Sequence, residues 1–158
     1  MLRAVLLLLL PALCSATNTG VFLGSYDVAR NNQDSQYGVT VELPQSLTAA
    51  NFRPQIGILR SRYASHYVFA GILRRSTVFQ RASTPYLELN FAPGLYFFGN
   101  QNDTDLGYWL QFRSGIEVGY RFSDQTKIGL AFHHLSNASL AEPNPGTETL
   151  SVHYRVNW

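Results

Sequence analysis

His134 and Ser136 stand two residues apart, and Glu148 follows Ser136 by twelve. An imidazole, a hydroxyl and a carboxylate are the groups that acyl transfer needs: a base, a nucleophile and a partner that orients the base. Their spacing is useful only on extended backbone. Residues i and i+2 of a strand share a face with Cα atoms about 6.6 Å apart, from a rise of roughly 3.3 Å per residue, and the next strand lies about 4.8 Å away. An imidazole and a hydroxymethyl can bridge the first gap, and a carboxylate returning on the following antiparallel strand can reach the second imidazole nitrogen. His-x-Ser alone is a weak signal in a chain with four His and many Ser. A hydrogen-bonded cluster at a strand rim is its plain alternative.

The elements that must hold these residues are strands. Period-two alternation recurs along the chain and helical periodicity is hard to find. Eight stretches are expected, over 20–30, 36–45, 53–62, 65–77, 84–98, 106–122, 126–138 and 147–158. Turn signals separate them, among them 31–34, 44–46, 99–103, Ser123-Asp124 and Pro143-Asn144-Pro145-Gly146. In 106–122 the even positions Leu110, Phe112, Ile116, Val118, Tyr120 and Phe122 are mostly apolar, while Arg113, Glu117 and Arg121 fall among the odd ones. Ile128, Leu130 and Phe132 continue the apolar face on the next stretch; Leu150, Val152, Tyr154, Val156 and Trp158 continue it on the last. His134, Ser136 and Glu148 share this even parity, so they break an otherwise greasy face at one end of two adjacent strands. Polar groups against hydrocarbon cost several kcal/mol unless partnered, a penalty that fades near a rim.

Which way the greasy face points separates two architectures. A soluble lipocalin-like barrel turns it inward around a ligand; an outer-membrane barrel turns it to lipid. Three features favour the second: greasy faces of Leu, Ile, Val, Phe and Tyr with few exceptions, polar faces that concentrate Arg113, Glu117, Arg121 and Arg155, and the aromatic Trp158 at the end of an alternating run. Apolar types make up 46% of the 158 residues and aromatics 13%, while charged types reach only 14%, against about 25% in soluble domains. A net charge of +2 gives no reason to expect nucleic acid, and a single Cys excludes a disulfide framework. Met1-Leu2-Arg3, the apolar run Ala4 to Leu10 and the small residues Cys14 and Ala16 read as a secretory signal peptide over 1–16, too short to span a bilayer. Residues 17–158 are then a single domain: an all-β, eight-stranded antiparallel transmembrane β-barrel of the bacterial outer membrane, its interior filled by side chains. The closing run Leu150-x-Val152-x-Tyr154-x-Val156-x-Trp158 resembles the C-terminal signal of bacterial outer-membrane proteins. With both termini periplasmic, the three polar residues reach the extracellular rim.

The stretch Phe132-His133-His134-Leu135-Ser136-Asn137-Ala138, with Pro143-Asn144-Pro145-Gly146-Thr147-Glu148 after it, resembles the signature of the lipid A 3-O-deacylase family. The resemblance is specific over about 128–158 and architectural before that. It implies an outer-membrane serine esterase that removes the 3-O-linked 3-hydroxyacyl chain of lipid A, with Ser136 as nucleophile, His134 as general base and Glu148 as orienting acid. Asn144 and Asn137 match the family's asparagines and are expected to form the oxyanion hole or position substrate. The implied partner is lipid A, or lipopolysaccharide, in the outer leaflet; no cofactor and no metal is expected, and monomer and homodimer both stay open. Arg60, Arg62, Arg74, Arg75 and Arg81 are candidate contacts for lipid A phosphates, with snorkelling or lumen pairing an equal alternative. His133 and His153 are expected in the lumen; His66 has no sequence neighbour to work with. The rival readings are a non-enzymatic small outer-membrane barrel serving adhesion or structure, a soluble lipocalin-like lipid binder, and an acyltransferase on the same barrel.

Overall fold

A computed structural model describes residues 18–30, 34–44, 47 and 50–158. The expected signal peptide over 1–16 lies outside the described residues, as do the turn positions 31–33 and 45–46. Eight strands follow one another: β1 (Asn18–Tyr26), β2 (Asp34–Glu42), β3 (Arg53–Ser61), β4 (His66–Thr77), β5 (Thr84–Phe97), β6 (Leu110–Arg121), β7 (Thr126–Ser136) and β8 (Thr147–Asn157). Each pairs antiparallel with the next, and β1 pairs with β8 to close the barrel. Closure leaves no unpaired edge, the condition for a sheet in hydrocarbon.

Alternation sets the two surfaces as expected. Val118, Leu130, Val152 and Tyr154 stand exposed on the outer wall, while Arg113, Glu117, His133 and Arg155 are buried inside. A lipocalin-like binder would need the reverse, so that reading is set aside. The interior has two zones. Toward the end that carries Tyr26, Tyr96 and Leu135 it is packed with apolar and aromatic side chains, including Phe22, Leu59 and Tyr67. Toward the chain termini it is a charge network. Arg75 pairs with Glu42 at 3.0 Å and with Glu88; Arg155 pairs with Glu88 at 3.3 Å and with Glu117; Tyr86 donates to Glu117 at 2.6 Å. Each carboxylate has a cation against it, as burial requires.

Several stretches end earlier or start later than alternation implies, β2 at Glu42 among them, and three of these differences have a visible cause. β1 stops at Tyr26 because Asp27 takes a positive φ of 57° and turns its carboxylate to Thr104 and Thr147, which donate to it at 2.6 and 3.0 Å. β6 begins at Leu110, four residues late. Leu106 leaves the ladder to cap the apolar zone, fully buried, and Gln111 donates to its carbonyl at 3.2 Å. β7 ends at Ser136, where Asn137 opens a folded loop.

Candidate active site

His134 and Glu148 are paired residues in the β7–β8 register. Both are even and both face outward, where their side chains keep 44% and 27% exposure. His134 Nδ1 lies 3.0 Å from Glu148 Oε1. A carboxylate can only accept, so Nδ1 carries a proton, and in the neutral ring Nε2 is then the nitrogen with the lone pair, the tautomer a general base requires. Ser136 lies on the same face two residues on, across from Phe112 of β6. Among the described residues no hydrogen bond joins Ser136 to His134. Ser136 is half-buried, and such catalytic contacts are often loose before substrate binds.

Over this trio folds the loop 137–146. Ala138 and Ser139 take positive φ values of 53° and 60°, uncommon for residues with a Cβ. Asn137 holds the bend: it is fully buried, and its Nδ2 donates to the carbonyls of Ala141 at 3.0 Å and Pro143 at 3.2 Å. Both protons of its amide nitrogen are thereby committed inside the loop. Asn144 is placed differently. Its Oδ1 accepts from the Asn137 backbone N–H at 3.0 Å, while its Nδ2 has only a 3.4 Å contact to Ser139 Oγ and is the donor left to spare. Gly146, at φ 62°, brings the loop back against the imidazole; a Cβ there would stand 3.0 Å from His134 Cε1 and 3.6 Å from Nε2. Neighbouring loops brace the arrangement. Arg30 donates to the Pro145 carbonyl, and Gly107 lies so close to Pro143 that a Cβ would come within 2.1 Å of its carbonyl oxygen.

A second Ser-His-Glu set lies in the lumen. Ser151 Oγ is 2.9 Å from His153 Nε2, and His153 Nδ1 is 3.4 Å from Glu117. Its polarity is wrong for catalysis. Arg155 Nη2, which can only donate, lies 3.1 Å from His153 Nδ1, so the ring's proton sits on Nε2 and points at the serine. All three residues are buried, out of reach of any lipid. His133 is likewise internal, between Asn90 at 3.2 Å and Arg113 at 2.9 Å.

The arginines divide by parity and by end. Arg75 points into the lumen and is engaged by Glu42 and Glu88, so it is no phosphate contact. Arg74 and Arg81 lie at the barrel end remote from His134, whereas Arg60 and Arg62 lie at the same end, Arg60 opposite His66 in the β3–β4 register. One polar residue escaped the sequence reading. Ser114, even-numbered on β6 and exposed, is the register partner of His134 on the side away from Glu148. The parity that singles out His134 would have found it.

The comparisons with known proteins agree with this fold. The chain is 31% identical over 72 residues to the lipid A deacylase PagL of Pseudomonas aeruginosa, an alignment covering 46% of the chain and 42% of the relative. It is 30% identical over 69 residues to the lipid A deacylase PagL of Bordetella bronchiseptica, covering 44% and 39%. The chain thus matches less than half the length of either curated relative. The crystal structure of the outer membrane enzyme PagL superposes with a TM-score of 0.75 at 18% identity, covering 88% of this chain and 98% of that one. A family model described as "Lipid A 3-O-deacylase (PagL)" matches residues 22–157, and the chain belongs to that family.

Proposed function

We propose that the protein is an outer-membrane esterase that hydrolyses the ester-linked acyl chain at the 3 position of lipid A in the outer leaflet, using Ser136, His134 and Glu148. One observation carries the reading: a histidine already hydrogen-bonded to a carboxylate, with a serine beside it, on a wall otherwise built to face lipid. The curated relatives bear the name of this activity, and all three groups come from one chain.

In the reaction, Nε2 of His134 takes the proton of Ser136 as Oγ attacks the ester carbonyl. The tetrahedral oxyanion accepts a hydrogen bond from Asn144 Nδ2, a contribution on the order of 3–4 kcal/mol for one such donor. Collapse breaks the bond to the sugar oxygen, which leaves with the proton from the imidazolium. Water then attacks the acyl-serine with His134 again as base, releasing a free fatty acid. Glu148 holds the ring and stabilises its charged form in both steps.

The test is lipid A mass spectrometry with and without expression, together with variants. Ser136→Ala and His134→Asn are expected to assemble as heat-modifiable barrels and leave the acyl pattern unchanged. Ser151→Ala, in the lumen, is expected to keep activity. Retained deacylation by the first two removes them from the mechanism. Transfer of the chain to another lipid, without free fatty acid, would make the protein an acyltransferase.

A further inference from the structure

The outward faces of β6, β7 and β8 carry no Arg or Lys. On the other side of the barrel, one level of the register runs Tyr37 on β2, Arg60 on β3, His66 on β4 and Phe97 on β5. That level lies at the extracellular end, and its side chains share the parity of the exposed Val39, Ile58, Val68 and Leu95. A guanidinium and an imidazole thus stand directly opposite each other on the outer wall. Both are donors, the guanidinium always and the imidazole through at least one N–H. Among the described residues neither side chain has a hydrogen bond or an ion pair. Arg62, two residues past Arg60, is also exposed and meets only the Tyr63 ring, at 5.9 Å. Asp34, at the head of β2, has its carboxylate oxygens on the backbone N–H groups of Ser35 and Tyr63, at 2.6 and 3.3 Å.

We infer that the β2–β5 wall holds a second lipid: a phosphorylated glycolipid of the outer leaflet, with a phosphate between Arg60 and His66 and an acyl chain in the groove below them. The groove has a volume of about 560 Å³ and begins one level beneath the cations. Val39, Ile58, Val68 and Leu95 form that first level, and Ala70 and Pro93 lie on the next, about 6.6 Å further from the rim. Small Ala70 among branched neighbours makes the wall concave there. A lipid of the outer leaflet has the matching order, an anionic headgroup at the surface and chains running down the wall. A guanidinium fits a phosphate through two parallel N–H bonds, and the imidazole adds a third donor from the neighbouring strand. Strands β3 and β7 are four apart in the ring, about 19 Å along the wall at about 4.8 Å per strand. A lipid with its ester at Ser136 cannot also fill this groove, so the occupant is a separate molecule. It is bound and not cleaved, because the cation level carries no serine or cysteine beside the imidazole. The assignment does not depend on the hydrolase reading.

The experiment is photo-crosslinking of the purified full chain in detergent micelles. The probe is a lipid A that already lacks its 3-linked chain and carries a photoreactive group in a remaining chain; its dephosphorylated form is the control. Labelled peptides are mapped by mass spectrometry. The phosphorylated probe is expected to label β3 to β5 preferentially, and the control to label that wall about tenfold less. The double variant Arg60→Gln/His66→Gln is expected to lower the labelling about tenfold, the loss of exposed charge-assisted hydrogen bonds. Ala70→Trp fills the groove, leaves both donors in place and is expected to displace the label as well. All three side chains face outward, so gel mobility before and after heating should show folded barrels. Labelling spread evenly around the barrel, or equal on β3 to β5 with and without phosphate, overturns the assignment and leaves ordinary boundary lipid. Unchanged labelling in the double variant overturns the phosphate contact, and unchanged labelling in Ala70→Trp overturns the groove.

Discussion

Replacing Glu148 separates the orientation of the base from its electrostatic support. The carboxylate accepts from His134 Nδ1 at 3.0 Å. Two unit charges about 4 Å apart near a protein surface interact by roughly 4 kcal/mol, at an effective dielectric near 20. Exposures of 44% and 27% bring the pair well below that ceiling. Hydrogen bonds to charged groups contribute about 1.5–3 kcal/mol, so Glu148→Ala should lower kcat roughly 10- to 150-fold. Glu148→Gln keeps an acceptor for Nδ1–H and loses only the charge, so its loss should sit at the lower end of that range. Ser136→Ala should lose about four orders of magnitude or more, because a nucleophile has no substitute. The assay is the initial rate of fatty acid release in micelles, with gel mobility before and after heating to show that each barrel is folded. A folded Glu148→Ala protein with the wild-type kcat would refute the reasoning, since the imidazole would then need no carboxylate.

Three further outcomes follow from the same geometry. Asn144→Ala should lower kcat by about 10²–10³ if Nδ2 faces the oxyanion, with KM changing far less; an unaltered kcat would reassign it to the loop alone. Gly146→Ala adds a Cβ 3.0 Å from His134 Cε1 at a φ of 62°, where left-handed backbone alone costs a non-glycine residue about 1–2 kcal/mol. A folded barrel with kcat lowered about tenfold is expected, and undiminished turnover would show that the ring has room to move. Arg155→Met leaves Glu117 and Glu88 short of a buried partner, at a cost of about 3–5 kcal/mol. The folded gel band should be lost at a lower temperature while lipid cleavage in the cold persists, and an unshifted transition would mean that the lumen network tolerates the gap.

The two Ser-His-Glu sets show how far parity reaches. By sequence, Ser151-x-His153 and His134-x-Ser136 offer the same groups at the same spacing, and only odd or even position distinguishes them. That suffices, because successive strand residues point to opposite faces and the charged residues mark one face as interior. The same rule divides Arg74 from Arg75. It also placed Ser114 on the outer wall, where the reading of β6 as mostly apolar passed over it.

The loop 137–146 was not legible in this way. Asn137 and Asn144 are alike in type and both lie in the matched signature, yet one is buried as a brace and the other keeps a spare donor. Nothing local assigns positive φ to Ala138 and Ser139; contacts with Arg30 and Gly107, distant in sequence, help impose the bend.

The sequence by itself determined the strands, the faces and the three groups on the outer wall, because side-chain direction along a strand has a period of two and needs no knowledge of neighbours. Only the tertiary structure decided what else stands beside the expected His134–Glu148 pair: Ser114 on the other flank of His134, and the asparagine with the free amide. Those choices depend on register across three strands and on loops meeting at one end of a closed barrel, which are long-range pairings that no local pattern encodes.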